Sequence, residues 1–432
     1  MTRKVFRNNQ FTDGIIGPGV KMLGPVQDGA TIVYETAPGC WGPMITPALK
    51  GGHEVNVSVA IEEAKVGDSV LVKILGIRVK SRATSSGVDQ RIEGRFTEDP
   101  SVMKKCAQCG MEWPEARAEG VGLESIKCVN CGASASPFRM THGYTMVFDA
   151  AKKLGLTVGQ KLSDNIAGNA LKWANIPSSS RQFSILLANK YDLQGTVSMV
   201  RPFMGQLGTT PSVNIPDSRN AGDSATALLS KTHRYSITEQ QRETCLTDGH
   251  MDIDAVREGA TLICPIKVDG GGLYAGDMHA MQGDGEIAGH TTDVSGELTV
   301  EVHVIKNLRL EGPLLLPRTE DLPPLARPLS KDEARIAEKM AAKLEIDLED
   351  NAPIQVIGTG TDLNKAVMNG IRRAASTFSM STEEVRNRIT ITGGIEIGRL
   401  PGVVQVTLKV PFATLDKIGI SKYIRKWYKQ PK

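Results

Sequence analysis

The segment GDMHAMQGDGEIAG, Gly276–Gly289, concentrates side chains that can bind a cation or move a proton. Asp277 and His279 are two residues apart, as are Asp284 and Glu286, so in an extended chain each pair points to one side. Imidazole and carboxylate groups arranged in this way can bind a divalent cation, and a carboxylate outside the coordination sphere could take a proton from water. A solvated, turn-rich acidic loop would have the same composition.

Two further segments contain residues that could join such a site. The segment DGHMD puts His250 and Asp252 two residues apart, although a lone pair of this kind is more often structural. In RPFMGQLGTTP, Gly205 and Gly208 could bring backbone amides close to a substrate oxygen, as in an oxyanion hole. By spacing alone, both segments are weaker candidates for the functional site than Gly276–Gly289.

Four cysteines form two close pairs with the spacing of a zinc ribbon. Eighteen residues separate the pair Cys106 and Cys109 from the pair Cys128 and Cys131, and a glycine follows each pair. Four thiolates complete a tetrahedral Zn²⁺ site and leave no position for water, so a structural zinc is favoured over catalysis or nucleic-acid contact. A short polar segment needs such a metal to fold.

The sequence offers no clear nucleophile. Cys40, Cys245 and Cys264 are isolated, and neither a Gly-x-Ser-x-Gly elbow nor a Lys-Ser-Ser pattern occurs. This favours water activated by a metal over covalent catalysis.

Runs of β-branched and alternating apolar residues predict the strands that must position these groups. A short helix is predicted near Ala167–Ala174. The predicted strands are His53–Ile61, Ser69–Lys80, Phe183–Ala188, Thr261–Val268, Leu298–Ile305 and Val403–Val410.

The last hundred residues combine helices with strands. A proline-rich boundary at Pro317–Pro328 precedes a capping box that begins at Ser330 and opens a helix. A second helix is predicted at Asp362–Ala375, and another capping box at Ser381 opens a third. The apolar stripe of the first helix is formed by Ile336, Ala337, Met340, Ala341 and Leu344.

Length and charge limit the class of protein. The 432 residues predict two or three domains, and a net charge of +3 from 51 basic and 48 acidic residues argues against a nucleic-acid or membrane-surface binder. No apolar run is long enough for a membrane span, and no secretory signal is recognisable. Seven cysteines, four of them in close pairs, fit a reducing cytoplasm.

These observations divide the chain into four parts. They are an N-terminal β part of the catalytic domain at 1–80, an inserted zinc-ribbon module at 81–140, a β-rich catalytic core with the metal-site loops at 141–328, and a C-terminal α/β portion at 329–432.

Several of these segments together resemble the acetamidase/formamidase family. GDMHAMQGDGEIAG is the specific part, and GHMD and GATLICPIKVDGGGLYAGD precede it. PFMGQLGTTP, the early strand pair VSVAIEEAKVGDSVLVKIL after His53, and the C-terminal TDLNKAVMNGIRRAASTFSMSTEEV support the resemblance. It covers residues 30–80 and 183–420.

The resemblance implies a mostly β sandwich or barrel with an α/β C-terminal portion, and hydrolysis of short carboxamides to acid and ammonia. It also implies a catalytic divalent metal, expected to be Zn²⁺, in a homo-oligomer. The implied metal ligands are His53, Asp252 and His279, and Asp277, Asp284 and Glu286 are then catalytic carboxylates or further ligands, with Glu286 as general base. His250, from its spacing to Asp252, is an additional candidate ligand, and Gly205, Gly208 and Gly283 are the candidate substrate-binding glycines.

Two departures from the family pattern bear on the substrate. His250 stands where the family usually has asparagine, and residues 81–180 contain the ribbon insertion that ordinary members lack. A small-molecule amide larger than formamide or acetamide is therefore a possible substrate.

Two other functions fit the same residues. The first is a metal-dependent hydrolase of a cyclic amide, imide or urea-like compound, which would open a ring without releasing ammonia. The second is a non-catalytic zinc-ribbon interaction protein, although acidic residues offset the basic ones in the ribbon.

Overall fold

A computed structural model describes residues 5–39, 54–97, 102–120, 122–180, 190–217, 219, 221, 236–244 and 248–428. The α-helices are α1 Gln160–Gly168, α2 Ala170–Ala174, α3 Glu239–Thr244, α4 Lys331–Leu344, α5 Leu363–Phe378, α6 Thr382–Thr392, α7 Phe412–Lys417 and α8 Ser421–Trp427. The strands are β1 Val5–Asn8, β2 Ile15–Ile16, β3 Leu23–Val26, β4 Thr31–Thr36, β5 Val59–Ile61, β6 Ser69–Val79, β7 Ala83–Arg91, β8 Phe96–Thr97, β9 Val102–Met103, β10 Ala116–Ala118, β11 Ile126–Cys128, β12 Phe138–Phe148, β13 Leu154–Thr157, β14 Val197–Met199, β15 Phe203–Thr209, β16 Ile215–Pro216, β17 Thr261–Pro265, β18 Leu273–His279, β19 Gly296–Ile305, β20 Leu314–Leu316, β21 Asn351–Thr359, β22 Gly394–Arg399 and β23 Val403–Pro411.

Two sheets pack face to face around the main core. A nine-stranded sheet has the order β1-β4-β19-β6-β17-β20-β21-β23-β22, and a four-stranded sheet has the order β15-β18-β5-β3. One hydrophobic cluster joins them, with Val72 and Val300 from the large sheet and Met204 and Leu273 from the small one. The protein is therefore mostly β, as its sequence predicts.

Helices α5 to α8 of the C-terminal portion cover the other face of the large sheet. Leu71 on β6 packs there, whereas its neighbours Val70 and Val72 face the main core, as the two-residue period of a strand requires. Phe378 of α5 packs in this second cluster beside Val356 of β21. Because β20 links β21 to β17, residues 329–428 extend the central sheet rather than form a separate body.

The segment that carries the four paired cysteines adjoins a separate sheet. β7 and β12 pair over most of their length, and β13 and β14 complete a four-stranded antiparallel sheet. β12 runs across the domain boundary predicted at residue 140.

Most predicted elements occur where the sequence indicates. Within 54–61, however, only β5 is a strand, and α1 and α2 replace the single short helix predicted near Ala167–Ala174. The strand predicted at Phe183–Ala188 lies outside the described residues.

The helix α4 has its predicted capping box but a different environment from that of a core helix. Ser330 caps the backbone of Glu333 and receives its side chain in return. The larger apolar residues of α4 face solvent, since the side chains of Ile336, Met340 and Leu344 are 57%, 59% and 61% exposed. In the described part of the chain, no helix is long and apolar enough to cross a membrane.

Candidate functional site

Neighbouring strands bring distant segments of the chain to one buried point. β15 and β18 pair in an antiparallel register that puts Phe203 opposite His279. The segment after residue 248 folds onto the outer edge of β15, where the amides of Met251 and Asp252 donate to the Gly205 carbonyl over 2.9 and 3.2 Å. His279 also forms a β-bridge with Asp293, which precedes β19.

The side chains that meet there form a compact cluster of two imidazoles and three carboxylates. His250 Nε2 lies 3.0 Å from Asp277 Oδ2 and 3.4 Å from Asp252 Oδ2. His279 Nε2 lies 3.1 Å from Asp277 Oδ1 and 3.0 Å from Asp293 Oδ1. All five residues are buried. They form two groups of three possible ligands that share Asp277, and within each group the ligand atoms lie within 4.8 Å of one another.

The backbone is unusual at three of the acidic residues. Asp252, Asp277 and Glu286 have φ angles of 53°, 53° and 44°, in the left-handed region that residues other than glycine seldom adopt. Such conformations persist only where the surrounding structure imposes them, and they concentrate at functional sites.

Gly205 keeps the space between the donors open. A Cβ atom on this residue would lie 2.5 Å from Asp252 Oδ1, 2.8 Å from Asp277 Oδ2 and 2.8 Å from His279 Cε1. Any side chain at this position would therefore occupy the point on which these groups converge. Oδ1 of Asp252 and Nδ1 of His279 have no hydrogen-bond partner within the described structure.

Glu286 and Arg399 border the cluster on one side. Arg399 Nε lies 3.1 Å from Glu286 Oε2 and 3.2 Å from Asp252 Oδ2, so the guanidinium links the two carboxylates. Its position is fixed by the Gly285 backbone, which forms a β-bridge with Arg399 and accepts a hydrogen bond from the Leu400 amide at 2.9 Å.

The charges within the cluster shift its pKa values strongly. Burial by itself lowers the pKa of His250, but Asp252 and Asp277 outweigh it and raise that pKa to about 10. Burial likewise opposes ionisation of His279, yet Asp277 and Asp293 hold its pKa well above the usual value. Burial, together with the charge of Asp252, raises the pKa of Glu286 to about 8. Without a cation, these carboxylates therefore favour protonated imidazoles, whereas metal binding requires neutral ones.

The cluster contains four of the seven residues predicted as metal ligands or catalytic carboxylates, and two residues that were not predicted lie in it or at its border. Asp293 and Arg399 follow no motif that could have indicated them, and only the sheet topology brings them to the site. His250, Asp252, Asp277 and His279 lie in the cluster, and Glu286 lies at its border, as reported above.

The other predicted residues lie elsewhere. Asp284 is exposed, and its charge acts on Asp254 and Glu396 outside the cluster. Gly208 packs against Gly249, where a Cβ would approach the Gly249 Cα to 2.7 Å, so it serves strand packing. Gly283 lines a cavity next to Glu286, and His53 is outside the described residues.

The four paired cysteines also converge. The sulfur atoms of Cys106 and Cys131 are 3.6 Å apart, and those of Cys109 and Cys128 are 3.9 Å apart. Four sulfurs at about 2.3 Å from a tetrahedral Zn²⁺ would be ~3.8 Å from one another. This group can therefore hold a metal ion with little rearrangement.

A β sandwich with a buried His/Asp cluster next to a glutamate defines a candidate hydrolase. The model of the Acetamidase/Formamidase family matches residues 39–417. The chain belongs to this family, whose members are hydrolases that act on non-peptide carbon–nitrogen bonds. The family predicted from GDMHAMQGDGEIAG is thus confirmed.

Solved structures of similar fold carry related names. A predicted acetamidase/formamidase from Thermoanaerobacter tengcongensis is 17% identical with a TM-score of 0.53, covering 97% of this chain and 99% of that one. An acetamidase from Bacillus halodurans is 16% identical with a TM-score of 0.52, and the match covers 96% of this chain and 100% of that one. A Schizosaccharomyces pombe protein provisionally named a formamidase is 34% identical over 74 residues, which are 16% of this chain and 18% of that protein.

Proposed function

We propose that this protein hydrolyses a carboxamide to a carboxylate and ammonia, with water activated at the His/Asp cluster. The observation that carries the proposal is the convergence of the cluster donors on the space kept open by Gly205, with Glu286 at its border. Family membership supports the reaction class.

A divalent cation fits the residues of the cluster. His250, Asp252 and Asp277 form one donor set, and Asp277, His279 and Asp293 form a second. Mixed imidazole and carboxylate donors suit Zn²⁺ and similar ions, and Oδ1 of Asp252, which faces the space beside Gly205, has no hydrogen-bond partner in the described structure that would compete with a cation. Such a cation supplies a Lewis acid that polarises the amide carbonyl and lowers the pKa of water toward ~7.

Glu286 is the proposed general base and Asp277 a ligand. Asp277 lies between two imidazoles, so both of its oxygens are engaged. Glu286 borders the donors and can take a proton from water and transfer it to the departing nitrogen. Arg399 holds the Glu286 carboxylate in place through Oε2.

Measurement of ammonia release by the purified protein across a panel of linear amides tests the reaction. We expect ammonia and the matching carboxylate in equal amounts. Ring opening of a lactam or cyclic imide without ammonia would instead favour the cyclic-amide alternative, and no turnover of either class would contradict the proposal.

The ribbon is proposed to bind a structural Zn²⁺ and to have no catalytic role. Four cysteine sulfurs fill a tetrahedral coordination sphere, which leaves no site for substrate or water. Cysteines kept as metal ligands are compatible with a reducing cytoplasm, the proposed location.

We also propose a homo-oligomer in which α4 packs against α4 of a second copy. Ile336, Met340 and Leu344 recur every four residues, so they form one exposed apolar stripe along the helix. The first turn contains Asp332 and the last contains Lys343, so antiparallel pairing of two such helices brings opposite charges together.

A further inference from the structure

A cavity of about 310 Å³ opens beside Glu286. The loop after β18 forms one wall, which includes Met281 and Ile287. The inserted sheet forms the opposite wall, through Tyr144 and Met146 of β12 and Ser198 of β14.

The inserted sheet is fixed directly to the cluster. Thr84 on β7 donates from Oγ1 to the Asp293 carbonyl over 2.7 Å, and the Ser81 and Ser295 hydroxyls are 3.0 Å apart. Burial raises the pKa of the Tyr144 phenol, and the charges of Asp293 and His279 also act on this group. The wall that Tyr144 and Met146 form is thus set relative to the reacting groups by hydrogen bonds on the neighbouring strand.

The cavity is much larger than the simplest amides. Formamide has three non-hydrogen atoms, which correspond to roughly 60–90 Å³ if each fills the volume of one water or slightly less. Met146, Met281, Ile287 and Ala288 give the remaining volume an apolar part, beside the polar side chains of Ser198, Gln282, His290, Thr291 and Thr292. No lysine or arginine is present among the described residues of the lining, and Asp284 would repel an anionic acyl group.

We infer that the substrate is a primary carboxamide with a bulky, uncharged apolar acyl group, such as an aromatic or branched one, and that the inserted sheet selects it. This inference rests on the proposed amide hydrolysis. The amide carbon faces Glu286, and the acyl group lies between Tyr144 and Ile287, where methionine side chains can adapt to its shape.

The test compares kcat/KM for formamide, acetamide, isobutyramide, benzamide and phenylacetamide with the full-length metal-loaded protein. We expect kcat/KM to rise at least about tenfold from acetamide to benzamide, because added apolar contacts in a fitting pocket give discrimination of this order. Equal or better turnover of formamide or acetamide would overturn the inference while leaving amide hydrolysis intact. Ammonia from none of the amides would remove the proposed function and the inference with it.

A matched pair of variants tests the wall. Ile287 lines the cavity and is 75% exposed. Met199 is equally exposed but does not line the cavity, because it follows the lining residue Ser198 on β14 and points to the other face of the strand. Ile287→Ala should lower kcat/KM for benzamide about fivefold with little change for acetamide, and Met199→Ala should change neither. A uniform loss for all amides in Ile287→Ala, or the same loss in Met199→Ala, would contradict a specificity role.

Discussion

The side chain of Glu286 is held by geometry that suits proton transfer. A left-handed φ of 44° turns it toward Asp252, and Arg399 pairs with one of its oxygens. Its surroundings differ from those of Glu396, a carboxylate on β22 that accepts from Gln355 away from the cluster. Glu396 is therefore a suitable control for general effects of removing a partly buried charge.

Glu286→Gln should lower kcat for a substrate amide by roughly 10²- to 10⁴-fold and leave KM and metal content nearly unchanged, because the amide keeps the shape but cannot accept the proton. Steady-state ammonia release and metal analysis check this. Glu396→Gln should retain activity. Full activity in Glu286→Gln would mean that another group is the base.

Gly205 gives a second residue-scale prediction. Gly205→Ala should abolish metal binding at the cluster because its methyl carbon would lie 2.5 Å from Asp252 Oδ1. Metal content and the midpoint of thermal unfolding report this change. Gly283→Ala is the control, since an added Cβ there meets nothing within 4 Å, and it should bind metal normally. Normal metal content in Gly205→Ala would show that the cation lies elsewhere.

A spacing of two residues predicted that Asp277 and His279 would share one side of an extended chain. The two side chains do meet, with His279 Nε2 3.1 Å from Asp277 Oδ1, although the backbone departs from extended geometry at Asp277, where φ is 53°. The same rule placed Asp284 beside Glu286, but Gly285 has a φ of 93° and turns the chain, so Asp284 faces solvent. Arg399 could not be predicted, because it is 113 residues from Glu286 and only the pairing of β22 brings it near.

At the scale of elements, capping and periodicity predicted the existence of α4 but not its surroundings. The signal at Ser330 is local and was confirmed by the capping hydrogen bonds. An amphipathic pattern shows only that one face is apolar, and which surface covers it depends on the rest of the fold. In α4 the small residues Ala334, Ala337 and Ala341 are partly buried, whereas the larger ones are exposed.

A charge in the exposed stripe should break the proposed oligomer. Met340→Glu should lower the molar mass measured by light scattering from that of an oligomer to that of one chain, because burying an unpaired carboxylate is unfavourable. Lys339→Glu changes the charge beside the stripe and should leave the mass unchanged. A monomeric wild-type protein, or an unchanged mass in Met340→Glu, would contradict packing through α4.

The ribbon gives a separate element-scale prediction. Cys109→Ser should remove one equivalent of zinc and expose the ribbon to limited proteolysis, because few buried apolar side chains hold it together. Metal analysis and mass spectrometry of the digests measure both effects. Unchanged zinc content would show that the cysteines do not bind the metal.

At the scale of the whole molecule, the mostly β class and the family could be predicted, but the sheet order could not. Local patterns predicted β6, β19 and β23, yet their positions in one nine-stranded sheet depend on contacts between residues far apart in sequence. The same long-range pairing explains why β12 crosses the predicted boundary at residue 140 and why the C-terminal strands join the central sheet.

Elemental analysis of the intact protein decides whether the cluster binds a metal. We expect at least two metal ions per chain, one in the ribbon and one or two in the cluster. Asp277→Ala should reduce the content to the single ribbon ion because both donor sets use Asp277, whereas Asp284→Ala should leave it unchanged. A wild-type protein with one metal per chain, or an Asp277→Ala variant with the full content, would contradict a metal-dependent hydrolase at this site.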